Sequence, residues 1–451
     1  MTMLCVDSIR PALEGAIASL IATTDTDGIP NVSMISQVHY VDPERVALSY
    51  QFFNKTRANL LATRRAIVQV MDPDTLAQYR LSLHYEETRT DGPLFESMKA
   101  KLSGIASHHG VSDVFRLLGS DVFRVEAIEA VPGPVRQRPA PPRAMVAAAR
   151  RSFEAMSACA ELDELFDCVT LCMEREFGIR WSMVLVAEGD TGRFYTVSSR
   201  GYPTSGVGAE VGAGEGVIGV AAAFDTPIRI GHMTRDYRYG ETVRDAARET
   251  GVLAADPRRI PFPGLGAPRS QVAIPVRSEG HVAAVLFAED DTILRFGYGE
   301  EDALVLIATH LGLLMAKLTG AEDDTAEVTP FAGGPEAAGR LELRYFAFDQ
   351  SVFLGNEYLI KGVAGAILWR LLTEHHATGR TEFTTRELRI DPALRVVSHS
   401  ENIDARLILL RKRLEERCTC LRIERVGRGR IRLVVARGLD LQEPGDGKSV
   451  A

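Results

Sequence analysis

Short runs of alternating apolar and polar residues dominate the first third of the chain and predict strands. The reading starts with a helix in "IRPALEGAIASLIATT" and passes into strands in "DTDGIPNVSMISQVHYV" and "ERVALSYQF". A helix follows in "KTRANLLATRR", then a strand in "AIVQVMD" and a closing strand in "SDVFRVEAIEAV". Asp27-Gly28 and Asp42-Pro43 supply turns between the early strands. Short strands around few helices imply an antiparallel barrel or half-barrel.

The pattern then changes. Helical spacing over 146–178 leads to strands in "WSMVLVAEGD", "RFYTVSSRGY" and "SQVAIPVRSEGHVAAVLFAED", and ends in the helix "EEDALVLIATHLGLLMAKL". Helix, strands, helix is the order of an α+β sandwich. The last third opens with strands in "LELRYFAFD" and "SVFLGN", followed by helices in "IKGVAGAILWRLLTEHH", "TTRELRI" and "SENIDARLILLRKRLEER". It closes with the hairpin "CLRIERVGRGRIRLVVA".

Two stretches without periodicity separate these parts. "VPGPVRQRPAPPRA" is a Pro-rich, stiff linker, and "TGAEDDTAEVTPFAGGPEAAG" is acidic and rich in Gly, Pro and Thr. The expected organisation is therefore a first domain over 1–130, a linker over 131–144 and a second domain over 145–320. A flexible linker over 321–339, a third domain over 340–437 and a disordered tail over 438–451 complete it. As a class this is a multidomain α+β protein.

Composition adds one asymmetry. The chain carries a net charge of -8, yet residues 401–437 hold eleven Lys/Arg against five Asp/Glu. A basic module at the end of an acidic chain points to nucleic acid or another acidic partner. The six scattered cysteines read as free thiols in a reducing compartment. The start "MTMLCVDSIR" does not resemble a signal peptide, and no apolar run of ~18 residues predicts a membrane span. A cytoplasmic protein is the expectation.

The junction "SYQFFNKTRANL" runs from a strand into a helix through a basic, hydroxyl-bearing turn. A phosphate seat needs such a turn: Lys55 offers charge, Thr56 a hydroxyl, and the helix start free N–H groups. An ordinary helix cap with solvated Lys55 and Arg57 has the same composition. Alternation in "VSMIS" sends Ser33 and Ile35 to one face and Met34 to the other.

Four stretches in order, "ATTDTDGIPNVSMIS", "DPERVALSYQ", "FNKTRANL" and "RRAIVQVMDPDT", resemble the pyridoxamine-phosphate-oxidase-like family of flavin-binding split barrels. The resemblance implies a split β-barrel that binds FMN, with a homodimer placing the cofactor at the subunit boundary. It implies ring-lining positions at Ser33, Met34 and Ile35. It further implies ring-edge and phosphate contacts at Ser49, Tyr50, Gln51, Asn54, Lys55 and Thr56. The only tryptophans, Trp181 and Trp369, lie outside this stretch, so pyridoxal-phosphate synthesis itself is not implied. His108-His109 lacks neighbouring acids or thiols and is not taken as a metal site.

In the middle part, Gly214, Gly216 and Gly219 spell G-x-G-x-x-G, but the preceding "YPTSGVGAEVGA" is loop-like, and a dinucleotide reading is rejected. "SSRGYP", "GEGVIGVAAAFDTPIRI", "SQVAIPVRSEGHVAAVLFAEDD" and "FGYGEEDALVLIATHLGLLM" instead resemble the GAF sensor domain. This implies an α/β sandwich with a small-molecule effector of unassigned identity, or a purely dimerising role. The insertion "YGETVRDAARETGVLAADPRRIPFPGLGAP" stands where a ligand lid would lie. Cys168 and Cys172, one helical turn apart, read as small buried residues. The helices flanking this domain are expected to pair with a second chain.

The third part carries the functional signal. Ile403, Leu407, Leu410 and Leu414 form one apolar stripe, and Arg406, Arg411, Lys412 and Arg413 lie off it. A helix with an apolar back and an Arg-rich front suits insertion into a DNA major groove. Arg425, Arg428 and Arg430 cluster at the hairpin tip, where Gly427 and Gly429 permit the turn. "FDQSVFLGN", "NIDARLILLRKRLEE" and "LRIERVGRGRIRLV" resemble the winged helix-turn-helix output domains of bacterial response regulators.

Together these readings predict a ligand- or redox-responsive transcription regulator, cytoplasmic and homodimeric, that binds DNA. The rival expectation is an FMN-dependent oxidoreductase controlled by its two downstream domains. The sequence shows no set of residues that demands catalysis and no metal site.

Overall fold

The computed structural model describes residues 4–13, 19–35, 38–50, 54–109, 117–137, 143–189, 191–231, 260–319, 340–394, 402–427 and 429–444. They form a mixed α/β protein of three units, built largely on antiparallel sheets.

The N-terminal unit begins with a short 3-10 helix, Val6–Leu13, where the sequence predicts a longer helix. Its buried Val6, Ile9 and Leu13 cover the core of a seven-stranded sheet. The strands are β1 (Ser19–Thr24), β2 (Pro30–Ile35), β3 (Val38–Asp42), β4 (Arg45–Tyr50), β5 (Arg65–Met71), β6 (Gln78–Arg89) and β7 (Gly119–Val131). Their order is β2-β1-β5-β6-β7-β4-β3, with every pairing antiparallel. Helix α1 (Asn54–Thr63) leaves β4 and closes on β1 and β2. Helix α2 (Gly92–His109) joins β6 to β7 and packs against the middle unit.

The middle unit opens with α3 (Met145–Ser157) and α4 (Leu162–Phe177). Asp163 and Glu164 fall in the first turn of α4, where carboxylates favour the positive end of a helix, and Gly178 ends it in the left-handed region. A six-stranded antiparallel sheet follows, in the order β10-β9-β8-β13-β12-β11. Its strands are β8 (Trp181–Glu188), β9 (Arg193–Arg200), β10 (Glu210–Gly212), β11 (Ile228–Ile230), β12 (Ser270–Ser278) and β13 (His281–Asp290). Helix α5 (Gly216–Phe224) lies on one face with α2, and α3, α4 and α6 (Tyr298–Thr319) cover the other.

The G-x-G-x-x-G stretch does open a helix, α5, which the pattern of residues does not announce. The strand before it is a three-residue antiparallel edge, so the dinucleotide reading stays rejected. A Cβ on Gly219 would stand 2.0 Å from the Gly212 carbonyl oxygen, so this glycine serves close packing. Helix α6 is long and apolar enough to cross a membrane by composition. Its Leu304, Ile307, Leu311 and Met315 are buried in the middle core.

In the C-terminal unit, β14 (Arg340–Phe346), β15 (Ser351–Leu354) and β16 (Glu357–Ile360) precede α7 (Gly362–Thr378). Then come β17 (Glu382–Thr384), α8 (Thr385–Ile390), α9 (Ile403–Arg417) and the hairpin β18 (Leu421–Gly427) and β19 (Arg430–Val435). Thr384 and Glu387 form a reciprocal capping box at α8. Strand β17 pairs with β19, making a three-stranded sheet with the hairpin. Residues 438–442, expected in a disordered tail, form β20 (Gly438–Gln442), which pairs in parallel with β14. The apolar alternation of Leu439 and Leu441 lets this edge extend the sheet.

Candidate functional site

The first candidate site lies where β4 passes into α1. Thr56 is only 4% exposed; its Oγ1 accepts from Asn31 Nδ2 at 2.8 Å and lies 2.9 Å from Ser33 Oγ. Strand alternation brings Asn31 and Ser33 of β2 to this side. It turns Val32 and Met34 outward, at 64% and 66% exposure. Met34 therefore does not join the Thr56 cluster within one chain, although Ile35 does line the small cavity beside it. Ser49 and Tyr50 line the same cavity, while Lys55 is exposed beside it. Gln51 and the side chain of Asn54 lie outside the described residues.

The sequence reading missed the strongest interaction here. Arg57 Nη1 donates to both carboxylate oxygens of Asp121, at 2.6 and 2.7 Å, and Nη2 to Thr88 Oγ1 at 3.1 Å. Its guanidinium lies 3.7 Å from the centre of the Tyr50 ring. Thr88 Oγ1 in turn lies 2.6 Å from the Tyr85 hydroxyl. The available signal was Asp121 itself, a carboxylate at the buried start of a strand, which requires a cation.

An FMN phosphate would find a partial fit at this junction. Lys55 and the first N–H groups of α1 are suitable donors, whereas Arg57 is already neutralised by Asp121. The enclosed space measures about 10 Å³, enough for a water molecule and far short of a flavin ring. Within one chain the ring has no enclosed seat among the described residues.

The second candidate site is α9. Asn402 caps it by accepting from the Ala405 N–H at 3.0 Å. Ile403, Leu407, Leu410 and Leu414 are buried in the C-terminal core, as the spacing predicts. The expected basic front is a different matter. Arg406 is 1% exposed and Arg413 4% exposed, so neither stands on an open surface.

Arg406 donates to the carbonyl of Ala187 in the middle unit and lies over the ring of Tyr195. Arg413 Nε donates to the Leu359 carbonyl at 2.9 Å, and burial lowers its pKa. The correction has a simple cause. Ala405 and Ile408 form a second apolar face, packed into the core of the middle unit, so α9 is enclosed from two sides. "ARLILL" carries too many apolar residues for a helix with one buried stripe, and that was the sequence signal.

The remaining basic groups meet the acidic start of α4. Arg411 pairs with Asp163. Lys412 Nζ lies 2.7 Å from Asp167 Oδ1 and 3.3 Å from Asp163 Oδ1. Arg425 of the hairpin reaches Glu161 at 3.3 Å. Arg430 lines, with Arg411 and Arg425, a cavity of about 30 Å³ between α9 and the hairpin. Arg428 lies outside the described residues. Lys361–Glu210 and Ser205–Glu416 contacts extend the same interface.

In the middle unit, Glu289 is buried, accepting from the Leu265 N–H at 2.7 Å and from Gln271 Nε2 at 3.0 Å. Most of the lid-like insertion, its residues 239–259, lies outside the described residues. The thiols of Cys168 and Cys172 are 3.9 Å apart. Among the described residues no group of three His, Cys, Asp or Glu is placed to hold a metal. The His108 and His109 side chains are not among those described.

The family model described as pyridoxamine 5'-phosphate oxidase matches residues 6–131. The N-terminal unit is therefore similar to that family over this stretch. Solved structures are similar to single units of the chain. An FMN-binding protein from Syntrophomonas wolfei subsp. wolfei is 19% identical, with 28% of this chain and 86% of that one covered and a TM-score of 0.25. The GAF domain of the Acinetobacter phosphoenolpyruvate-protein phosphotransferase is 16% identical, with coverages of 40% and 97% and a TM-score of 0.31. Free methionine-R-sulfoxide reductase from Neisseria meningitidis is 15% identical, with coverages of 39% and 89% and a TM-score of 0.30. No curated protein matches the chain.

Proposed function

We propose that this protein is a cytoplasmic transcription regulator in which a flavin-type barrel and a GAF-type sensor govern a winged-helix DNA-binding unit. The observation that carries this reading is the build of residues 340–442. Three helices lead into a hairpin, and a short strand between the first two helices pairs with that hairpin. The basic groups gather on the last helix and the hairpin, where DNA contacts of such a unit would lie. Arg411, Lys412, Arg425 and Arg430 remain the proposed phosphate contacts, and Arg406 and Arg413 act instead in holding α9.

The flavin would bind at Lys55 and the start of α1, with Thr56 shaping the seat from behind. Its ring would need a second chain for cover, which fits a homodimer; the outward Val32 and Met34 offer an apolar face for one. Flavin bound there supplies redox chemistry or, unreduced, only a conformational signal.

Anisotropy of a labelled duplex at low salt tests the DNA reading, because phosphate contacts strengthen as salt falls. Binding by the chain, as it stands or with the α4 carboxylates neutralised, supports it. No binding by either form removes it. The family match over residues 6–131 favours a second reading, an FMN-dependent oxidoreductase. That reading requires yellow protein that turns over a reductant, and a chain with no flavin affinity disposes of it.

A further inference from the structure

Three carboxylates of the middle unit, Glu161, Asp163 and Asp167, stand opposite the basic groups Arg425, Arg411 and Lys412. Glu161 immediately precedes α4, Asp163 and Asp167 lie on its first two turns, and all three meet α9 or its hairpin. Nothing in the local folding of either helix requires this match. Asp163 in the first turn of α4 stabilises its own helix, but Arg411 and Lys412 lie in the middle of α9 and have no such local role. The two sets belong to different units, and their alignment is a property of docking alone.

We propose that this set is an intramolecular phosphate mimic: the α4 carboxylates hold the cations that DNA phosphates would otherwise take. The inference rests on the DNA-binding reading above and assigns its control to the interface between the middle and C-terminal units. A phosphate chain and a set of carboxylates offer the same thing to Arg and Lys, namely fixed anionic oxygens. The two ligands therefore compete for one set of groups, and whatever loosens α4 from α9 raises affinity for DNA.

The apolar part of the interface agrees with a release mechanism. Ala405 and Ile408 pack into the middle core, Tyr195 and Val207 of the middle unit are buried in the C-terminal core, and polar contacts flank them. Small apolar groups on such a helix also suit thymine methyl groups, so their exposure in a DNA groove is tolerable. Arg406, anchored on the Ala187 carbonyl, would have to change partners as the units part.

The test compares the full-length chain with Glu161→Gln/Asp163→Asn/Asp167→Asn and with Arg411→Glu/Lys412→Glu, all checked for folding by circular dichroism. Neutralising the carboxylates should tighten duplex binding by about tenfold or more, which corresponds to about 1.4 kcal/mol of lost competition. It should also steepen the salt dependence, by about 0.9 for each further phosphate that the freed cations neutralise. The charge reversal should open the same interface yet bind DNA no better than the wild type.

Equal binding by the wild type and the neutralised chain overturns the mimic and leaves the DNA reading standing. Binding by neither overturns the DNA reading. Tighter binding by the charge-reversed chain also overturns the mimic, since freed cations would not be its cause. A wild-type measurement guards against a variant that does not fold. Carbodiimide labelling of Asp163 should rise when duplex is added, and unchanged or reduced labelling counts against the mimic.

Discussion

Two places in this molecule combine a helix terminus, a cation and a facing carboxylate, and they are built for different ends. At α1, Arg57 and Asp121 belong to one unit, and the pair is enclosed with Thr88 against the Tyr50 ring. At α9, Arg411 and Lys412 meet Asp163 and Asp167 of another unit, and Asp167 keeps 53% of its side chain exposed. The first pair is part of a core and sets the shape of a site. The second lies at a seam between units, where Lys412 and Asp163 are each 16% exposed and Asp167 is the partner open to water. A buried ion pair fixes geometry, whereas one at a seam can be exchanged.

The largest expected effect tests the first half of that contrast. Asp121→Ala leaves Arg57 enclosed without its counter-ion and should cost about 3–5 kcal/mol. Urea unfolding, with hydrogen exchange read in β4 and β7, measures it; a loss below about 1 kcal/mol would put the pair in the class of exposed ion pairs. Thr56→Val removes the shared partner of Asn31 and Ser33 at nearly constant volume. It should cost about 1–3 kcal/mol in the same measurement and weaken any flavin binding.

The seam should respond less. A double-mutant cycle between Lys412 and Asp167 should give about 0.2–1 kcal/mol, because one partner is half exposed. The coupling should shrink as salt rises, and a salt-independent value would show that the seam behaves like the barrel pair.

The smallest effect concerns the far side of α4. The Cys168 thiol donates to Cys172 and lowers the Cys172 pKa to about 7, so its thiolate forms as pH rises through that value. Cys168→Ala removes the donor and should move the rise in ultraviolet thiolate absorbance to higher pH. An unmoved titration would mean that the turn after Asp163 and Asp167 is not held as described.

Much of the architecture was legible because it is local. Alternation in "ERVALSY" and the run "WSMVLVAE" marked strands β4 and β8, and the spacing of Ile403, Leu407, Leu410 and Leu414 marked the core side of α9. The seat at Thr56 was legible in part, since a hydroxyl at the start of a helix announces itself. Strand β20 was not, because "GLDLQ" is too short to signal a strand until β14 offers it an edge. Arg57 was not, because Asp121 lies 64 positions away in sequence.

The basic face of α9 shows the division most clearly. The sequence by itself determined which stripe of α9 enters its own core and that the C-terminal module carries excess positive charge. These follow from backbone geometry, apolar spacing and composition, all of which act within a few residues. Only the tertiary structure decided that Arg406 and Arg413 turn inward and that Arg411, Lys412 and Arg425 meet the carboxylates of α4. Charge is counted along a chain, but what it does depends on which opposite charge the fold brings within reach, and that is settled by contacts between units far apart in sequence.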